Sequence, residues 1–297
     1  MDFFTPYDPE PSQPRVRRFR PVPFRLLAPN LVTVLALCVG LTAIRMALEG
    51  RIDLAVYGIV AAAALDGIDG RLARMLKGTS SFGAQLDSLA DFVNFGVAPA
   101  LLLYFWVLDG AGSFGWVASL TFAIAAALRL ARFNAALDGP EEPAFAQNYF
   151  TGVPAPAGAI IVLLPVYLGH LGLPSLPRPE LFAEIYCVAI ALLMVSRLPT
   201  WSGKKAGKAI GREWVAPLFI GAAVAVGLLI SYPWQVLTAI TLAYLVGLPF
   251  GIQRYRQLDA AHRKATATAA APAPTPPPPA SAAGPGAGEG PAGSGGA

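Results

Sequence analysis

The sequence predicts an all-α, polytopic membrane protein with about eight transmembrane helices. Three observations carry that expectation. The chain is 55% hydrophobic and 13% charged, where soluble domains carry about 25% charged residues, and its mean hydropathy is +0.54. Apolar segments recur near 31–48, 53–72, 86–107, 114–136, 155–173, 180–197, 215–231 and 234–253. Each is close to the roughly 20 residues that cross a bilayer as a helix. None of these runs alternates polar with apolar residues, so helices are the expected form, because they satisfy their own backbone groups in lipid.

Residues 1–28 form a basic arm, with Arg15, Arg17, Arg18, Arg20 and Arg25 among prolines and aromatics. No small-residue cleavage site follows a short apolar core, so this is not a secretory signal. It reads as a juxtamembrane segment lying on an anionic lipid surface. Residues 29–256 form the transmembrane domain. The net charge of +4 is modest, and its distribution is more informative. Arg74 and Lys77 follow the second span, Arg129 and Arg132 end the fourth, and Lys204, Lys205, Lys208 and Arg212 follow the sixth. Arg254, Arg256, Arg263 and Lys264 follow the last. With eight spans all of these fall on one side together with the N-terminal arm. The positive-inside rule makes that side cytoplasmic, in a multi-pass protein of the cell inner or plasma membrane.

Residues 257–297 are expected to be a disordered tail, since from 265 they are almost wholly Ala, Pro, Gly, Ser and Thr. Such a composition buries too little apolar surface to offset chain entropy. Cys38 and Cys187 sit in apolar runs, with neither a disulfide framework nor metal spacing. His170 ends an apolar run and reads as an interfacial residue. There is no Walker loop, no dinucleotide fingerprint and no G-x-S-x-G element, which argues against those nucleotide-binding and hydrolase classes. No nucleic-acid partner is expected.

Residues 66–91 interrupt the apolar pattern with four carboxylates. Charge in or beside a membrane segment is costly and usually functional. Asp66 and Asp69 are three apart and share one face of a helix. Gly83, Asp87 and Asp91 are four apart and form a stripe on the next. Gly70 and Ala73 leave room near the Asp66 face. Two helix ends meeting at these faces would gather four negative charges, which demands bridging cations. Oxygen-only ligands suit hard ions such as Mg²⁺ or Mn²⁺, and paired divalent ions commonly clamp a transferring phosphoryl group.

The full pattern, D-x2-D-G-x2-A-R-x8-G-x3-D-x3-D, stands as Asp66, Asp69, Gly70, Ala73, Arg74, Gly83, Asp87 and Asp91. It resembles the signature of the CDP-alcohol phosphatidyltransferases. The stretches 86–96 (LDSLADFVNFG) and 129–134 (RLARFN) resemble the phosphatidylserine synthase branch of that family. The resemblance covers roughly 28–255. It implies transfer of a phosphatidyl group from CDP-diacylglycerol to an alcohol with release of CMP. It also implies two divalent cations: Asp66 and Asp87 would touch both, Asp69 would complete one site and Asp91 the other. Asp91 would be the catalytic general base. Gly70 and Gly83 would let the CDP moiety approach the backbone, with Ala73 beside them. Arg74 and Ser80, or Thr79 or Ser81 in its place, would meet phosphate. Asn30 is either a further nucleotide contact or the N-cap of the first span.

L-serine is the expected acceptor. Its carboxylate calls for a nearby cation, and the candidates are Arg129 and Arg132, with Asn134 following. Ser196 and Lys204 belong to a 196–204 element resembling S-x2-P-x2-S-x-K of serine-accepting members, although Thr200 stands where an aromatic residue is frequent. The 150–156 stretch reads as a turn into the fifth span. Each of these cations has an ordinary role as well, in topology and headgroup contact. Glycerol 3-phosphate or an inositol phosphate is the alternative acceptor. An ion or solute transporter is the alternative of a different class, disfavoured because the acids gather at one membrane face. The resemblance further implies membrane lipids as partners and a homodimer.

Overall fold

The computed structural model describes residues 24–76, 80–137, 149–172, 178–201 and 212–270. Most of the basic arm, Lys77, Thr79, Lys204, Lys205 and Lys208 lie outside the described residues. By its internal contacts the chain divides into Met1–Arg256 and Gln257–Ala297. The described part of the second unit is helical.

All eight expected segments are helical. They are α1 (Phe24–Leu48), α2 (Ile52–Met75), α3 (Ser81–Asp91) running through a π-helical turn (Phe92–Val97) into α4 (Ala98–Trp106), α5 (Ser113–Leu137), α6 (Ala155–Val162) with α7 (Leu164–His170), α8 (Pro179–Val195), α9 (Val215–Ser231) and α10 (Pro233–Ala270). Among the described residues, four stretches are long and apolar enough to cross a bilayer: Leu27–Leu48, Ser81–Trp106, Ser113–Ala136 and Pro233–Ala261. The break between α6 and α7 at Leu163 has a local cause. Pro165 lacks the N–H that would bond to Ile161, and its ring crowds that turn.

Both boundaries of the expected transmembrane domain lie inside helices. Helix α1 begins at Phe24, ahead of the expected boundary at 29, with Pro29 inside it, where the missing N–H removes one bond, to Arg25 O, near the helix start. Helix α10 continues past 256 to Ala270, into the expected tail. Residues 257–270 are rich in Ala, the strongest helix former, and Pro272 follows. A short antiparallel ribbon, β1 (Tyr149–Thr151) with β2 (Pro199–Trp201), pairs Phe150 with Thr200. It joins the 150–156 turn to the 196–204 element, two stretches far apart in the chain. Gly152 turns out of the ribbon at φ 79° and donates to Leu198 O at 2.8 Å. A Cβ there would lie 2.5 Å from Met194 O, so only glycine fits.

Small residues set the helix approaches. Helices α1 and α2 are antiparallel neighbours, joined through Gly50 at φ 72°. Ala43, Ala47, Ala55 and Ala62 are buried between them or beside them, and a Cβ on Gly58 would lie 2.8 Å from the Ala43 Cβ. Side chains this small let membrane helices pack closely. The hairpin therefore places Asn30 and Thr33, near the start of α1, level with Asp66 and Asp69, near the end of α2. A Cβ on Gly96 would lie 3.0 Å from the Ala126 Cβ, so α5 lies close against the π turn. Asn94, buried in that turn, packs its side chain onto Gly40 of α1. Phe95, Phe122, Leu102, Leu103, Tyr167 and Met194 fill the interior between these helices.

The far end is tied separately. His170 Nε2 lies 2.8 Å from Asp53 Oδ1, and the imidazole stacks on Trp234 with ring centroids 4.2 Å apart. This joins the start of α2, the end of α7 and the start of α10. His170 is thus a structural residue at the end opposite the acids. Leu31, Leu35 and Leu41 of α1 are exposed, as suits a face turned to lipid.

Candidate active site

The acid cluster forms because two helix faces meet. One carboxylate oxygen from each of Asp66, Asp69 and Asp87 lies within 4.8 Å of the others. The Asp91 carboxyl lies in hydrogen-bonding reach of Asp66. Asp69 is 3% exposed, and neither of its oxygens has a hydrogen-bond partner among the described residues. The Thr33 hydroxyl and the Gly70 backbone N–H approach it without forming a well-made bond, and the Thr33 hydroxyl donates instead to Pro29 O at 3.1 Å. A buried carboxylate without a donor is strongly unfavourable, and neighbouring anions make it worse. The arrangement therefore fits a cation, and an all-oxygen donor set fits a hard divalent one.

The residues expected to receive CDP surround this cluster. Ser80 caps α3, its Oγ accepting from Gly83 N at 3.0 Å. The capped end of α3 presents backbone N–H groups and the positive end of the helix dipole, which suit a phosphate. Asn30 lies inside α1, past Pro29, so it is not an N-cap. Its side chain instead fills the space left by Gly83, where a Cβ would lie 2.7 Å from Asn30 Oδ1. Among the described residues nothing lies within 4 Å of where a Gly70 Cβ would be, which leaves room there for a ligand. Ala73 is half-buried and Arg74 exposed on the last turn of α2.

The structure separates the expected acceptor residues. Arg129 is 9% exposed, its Nε has no partner among the described residues, and it lies within the field of Asp91. Asn134 Nδ2 donates to Ser88 Oγ at 2.9 Å, which brings the end of α5 against the Asp87–Asp91 helix. Arg132 has a structural partner: its Nη1 donates to Val195 O at 2.7 Å and clasps α5 to α8. Ser196 Oγ donates to Leu193 O at 2.7 Å. It borders an apolar cavity of about 110 Å³ with Val153, Leu198 and Leu248. Lys204 lies outside the described residues. Thr33, Ser88 and Tyr244 were not among the residues expected from sequence. Isolated polar groups in apolar helices were the available signal.

Comparison with known proteins gives the same picture. A family model described as CDP-alcohol phosphatidyltransferase matches residues 26–196, and a second, CDP-alcohol phosphatidyltransferase 2, matches 213–249. A CDP-diacylglycerol–serine O-phosphatidyltransferase of Mycobacterium leprae is 41% identical over 255 residues, covering 86% of this chain and 82% of that protein. The protein of that description from Mycobacterium tuberculosis is 38% identical over 236 residues, covering 78% and 80%. One from Helicobacter pylori is 34% identical over 229 residues, covering 77% and 91%. These matches run through the helices that assemble the acid cluster and extend along most of each relative's own length; the chain belongs to the CDP-alcohol phosphatidyltransferase family.

Proposed function

We propose that the chain transfers the phosphatidyl group of CDP-diacylglycerol to the hydroxyl of L-serine, giving phosphatidylserine and CMP. The observation that carries this reading is the convergence of Asp66, Asp69 and Asp87 within 4.8 Å, with buried Asp69 lacking any hydrogen-bond partner for its oxygens among the described residues, in a chain similar to serine O-phosphatidyltransferases over most of its length. The four carboxylates would hold two divalent cations, Mg²⁺ or Mn²⁺, with Asp66 and Asp87 shared between them. Such ions, when bound, neutralise pyrophosphate oxygens and stabilise charge developing on the leaving group.

The chain's own residues do the rest. Asn30, Gly70, Ala73, Ser80 and Gly83 form the floor that receives the CDP moiety, and Arg74 reaches a phosphate from the rim. Arg129 draws the serine carboxylate toward the acids. The serine hydroxyl oxygen attacks the phosphorus that carries the diacylglycerol. The bond from that phosphorus to the bridging oxygen breaks, and CMP leaves with that oxygen. Asp91 takes the hydroxyl proton. Asn134 holds α3 in register through Ser88. The acid cluster faces the cytoplasm, where serine and nucleotides are found. The enzyme works as a homodimer in the membrane.

The test is CMP release by the purified chain with CDP-diacylglycerol and each candidate alcohol in turn. L-serine is expected to be the best acceptor. Preference for glycerol 3-phosphate, an inositol phosphate or ethanolamine would overturn the serine assignment. No CMP release with any alcohol would overturn the transferase reading.

A further inference from the structure

Helix α10 brings a line of hydroxyl groups into the interior. Leu237, Thr238 and Thr241 are buried on its inner face, and Tyr244 continues that face toward the acid-bearing end. Tyr244 Oη is buried and has no hydrogen-bond partner among the described residues. The Thr200 hydroxyl is its polar neighbour, close enough to interact but too far for a well-formed bond, and Tyr244 lies within the field of Arg129. Thr200 directs its own hydroxyl proton to Gly152 O at 2.7 Å. Arg129 Nε is likewise buried and unpartnered among the described residues, and Arg129 lies within the field of Asp91.

Two buried donors from separate helices, an O–H from α10 and an N–H from α5, thus lie within each other's electrostatic field, and Arg129 lies also within that of the proposed base. Leaving either donor without an acceptor is unfavourable, and the cost falls when a ligand supplies two acceptor atoms. A carboxylate is such a group, with two oxygens in one plane. In L-serine it is attached two carbons from the hydroxyl oxygen, so a carboxylate held by this pair leaves the hydroxyl on the Asp91 side.

We infer that Tyr244 is a specificity-determining residue: its phenolic hydroxyl, together with Arg129, receives the carboxylate of an amino-acid acceptor. This rests on the proposed serine phosphatidyltransferase reading. The ribbon takes part by placing the Thr200 side chain beside the Tyr244 hydroxyl, and α10 contributes to acceptor choice as well as to lipid contact.

The test uses the full chain in lipid nanodiscs with CDP-diacylglycerol and Mn²⁺, comparing L-serine with serinol, in which a hydroxymethyl group replaces the carboxylate. Losing a hydrogen bond to a charged group should raise the KM for L-serine in Tyr244→Phe on the order of 10-fold or more. The KM for CDP-diacylglycerol and the use of serinol should stay at wild-type values. Tyr244→His, which restores a ring N–H, should recover part of the serine affinity. Thr238→Val, on the same face but nearer the opposite end, should leave the serine KM unchanged. An unchanged serine KM in Tyr244→Phe, or an equal loss with serinol, overturns the inference while the serine reaction stands. Failure of the wild-type chain to use L-serine overturns the proposed function and this inference with it.

Discussion

Asn134 Nδ2 donates to Ser88 Oγ at 2.9 Å, and Ser88 Oγ donates in turn to Ala84 O at 3.0 Å. Ser88 stands between Asp87 and Asp91 on α3, so the end of α5 is fastened to the helix that carries half of the acid cluster. Asn134 entered as an acceptor candidate, and the structure gives it a positioning contact.

Asn134→Ala should therefore act on metal affinity and stability more than on serine selectivity. Loss of one neutral hydrogen bond is worth about 1 kcal/mol. A lower unfolding temperature and a higher Mn²⁺ requirement for CMP release are expected, with the ratio of serine to serinol use unchanged. A selective rise in serine KM would instead place Asn134 against the substrate.

Asp69 is buried with no hydrogen-bond partner for its oxygens among the described residues, so its ionised form is unfavourable in the metal-free protein. Asp69→Asn removes that charge and should raise the unfolding temperature of the EDTA-treated protein, while reducing the stabilisation that Mg²⁺ or Mn²⁺ confers on the wild type. EDTA should abolish CMP release by the wild type, and either ion should restore it. Full activity after chelation, or a metal-free mutant less stable than wild type, would remove the cation site argued here.

Asp91 is the proposed base, and Asp91→Asn should lower turnover by about 10²–10⁴-fold, with further loss if a cation ligand goes too. CDP-diacylglycerol binding, followed by equilibrium competition with CDP, should largely survive. A near-normal rate in this mutant would assign proton removal to another group.

Much of the acid cluster is legible in the sequence because its signals are local to the chain. The three- and four-residue spacing of Asp66, Asp69, Asp87 and Asp91 puts them on helix faces wherever those helices lie. Runs of about 20 apolar residues specify membrane helices through backbone hydrogen bonding alone. The ends of the domain are less legible. Pro29 and the Ala-rich 257–270 stretch are each compatible with helix or with a boundary, and neighbouring residues decided for helix.

The sequence by itself determined that the chain is helical, that it lies in a membrane, and that Asp66, Asp69, Asp87 and Asp91 stand on two helix faces able to meet. Only the tertiary structure decided which polar residues join them. Arg129 and Arg132 are three apart on one helix, yet the first faces the acids while the second donates to Val195 O. Asn30 could equally have capped a helix, but it fills the space at Gly83. Tyr244 is remote in sequence and arrives through α10. These outcomes depend on helix rotation and distance of approach. Those are set by contacts between small residues far apart in the chain, among them Gly58 on Ala43 and Gly96 on Ala126, and close packing turns such contacts into a single arrangement of neighbouring side chains.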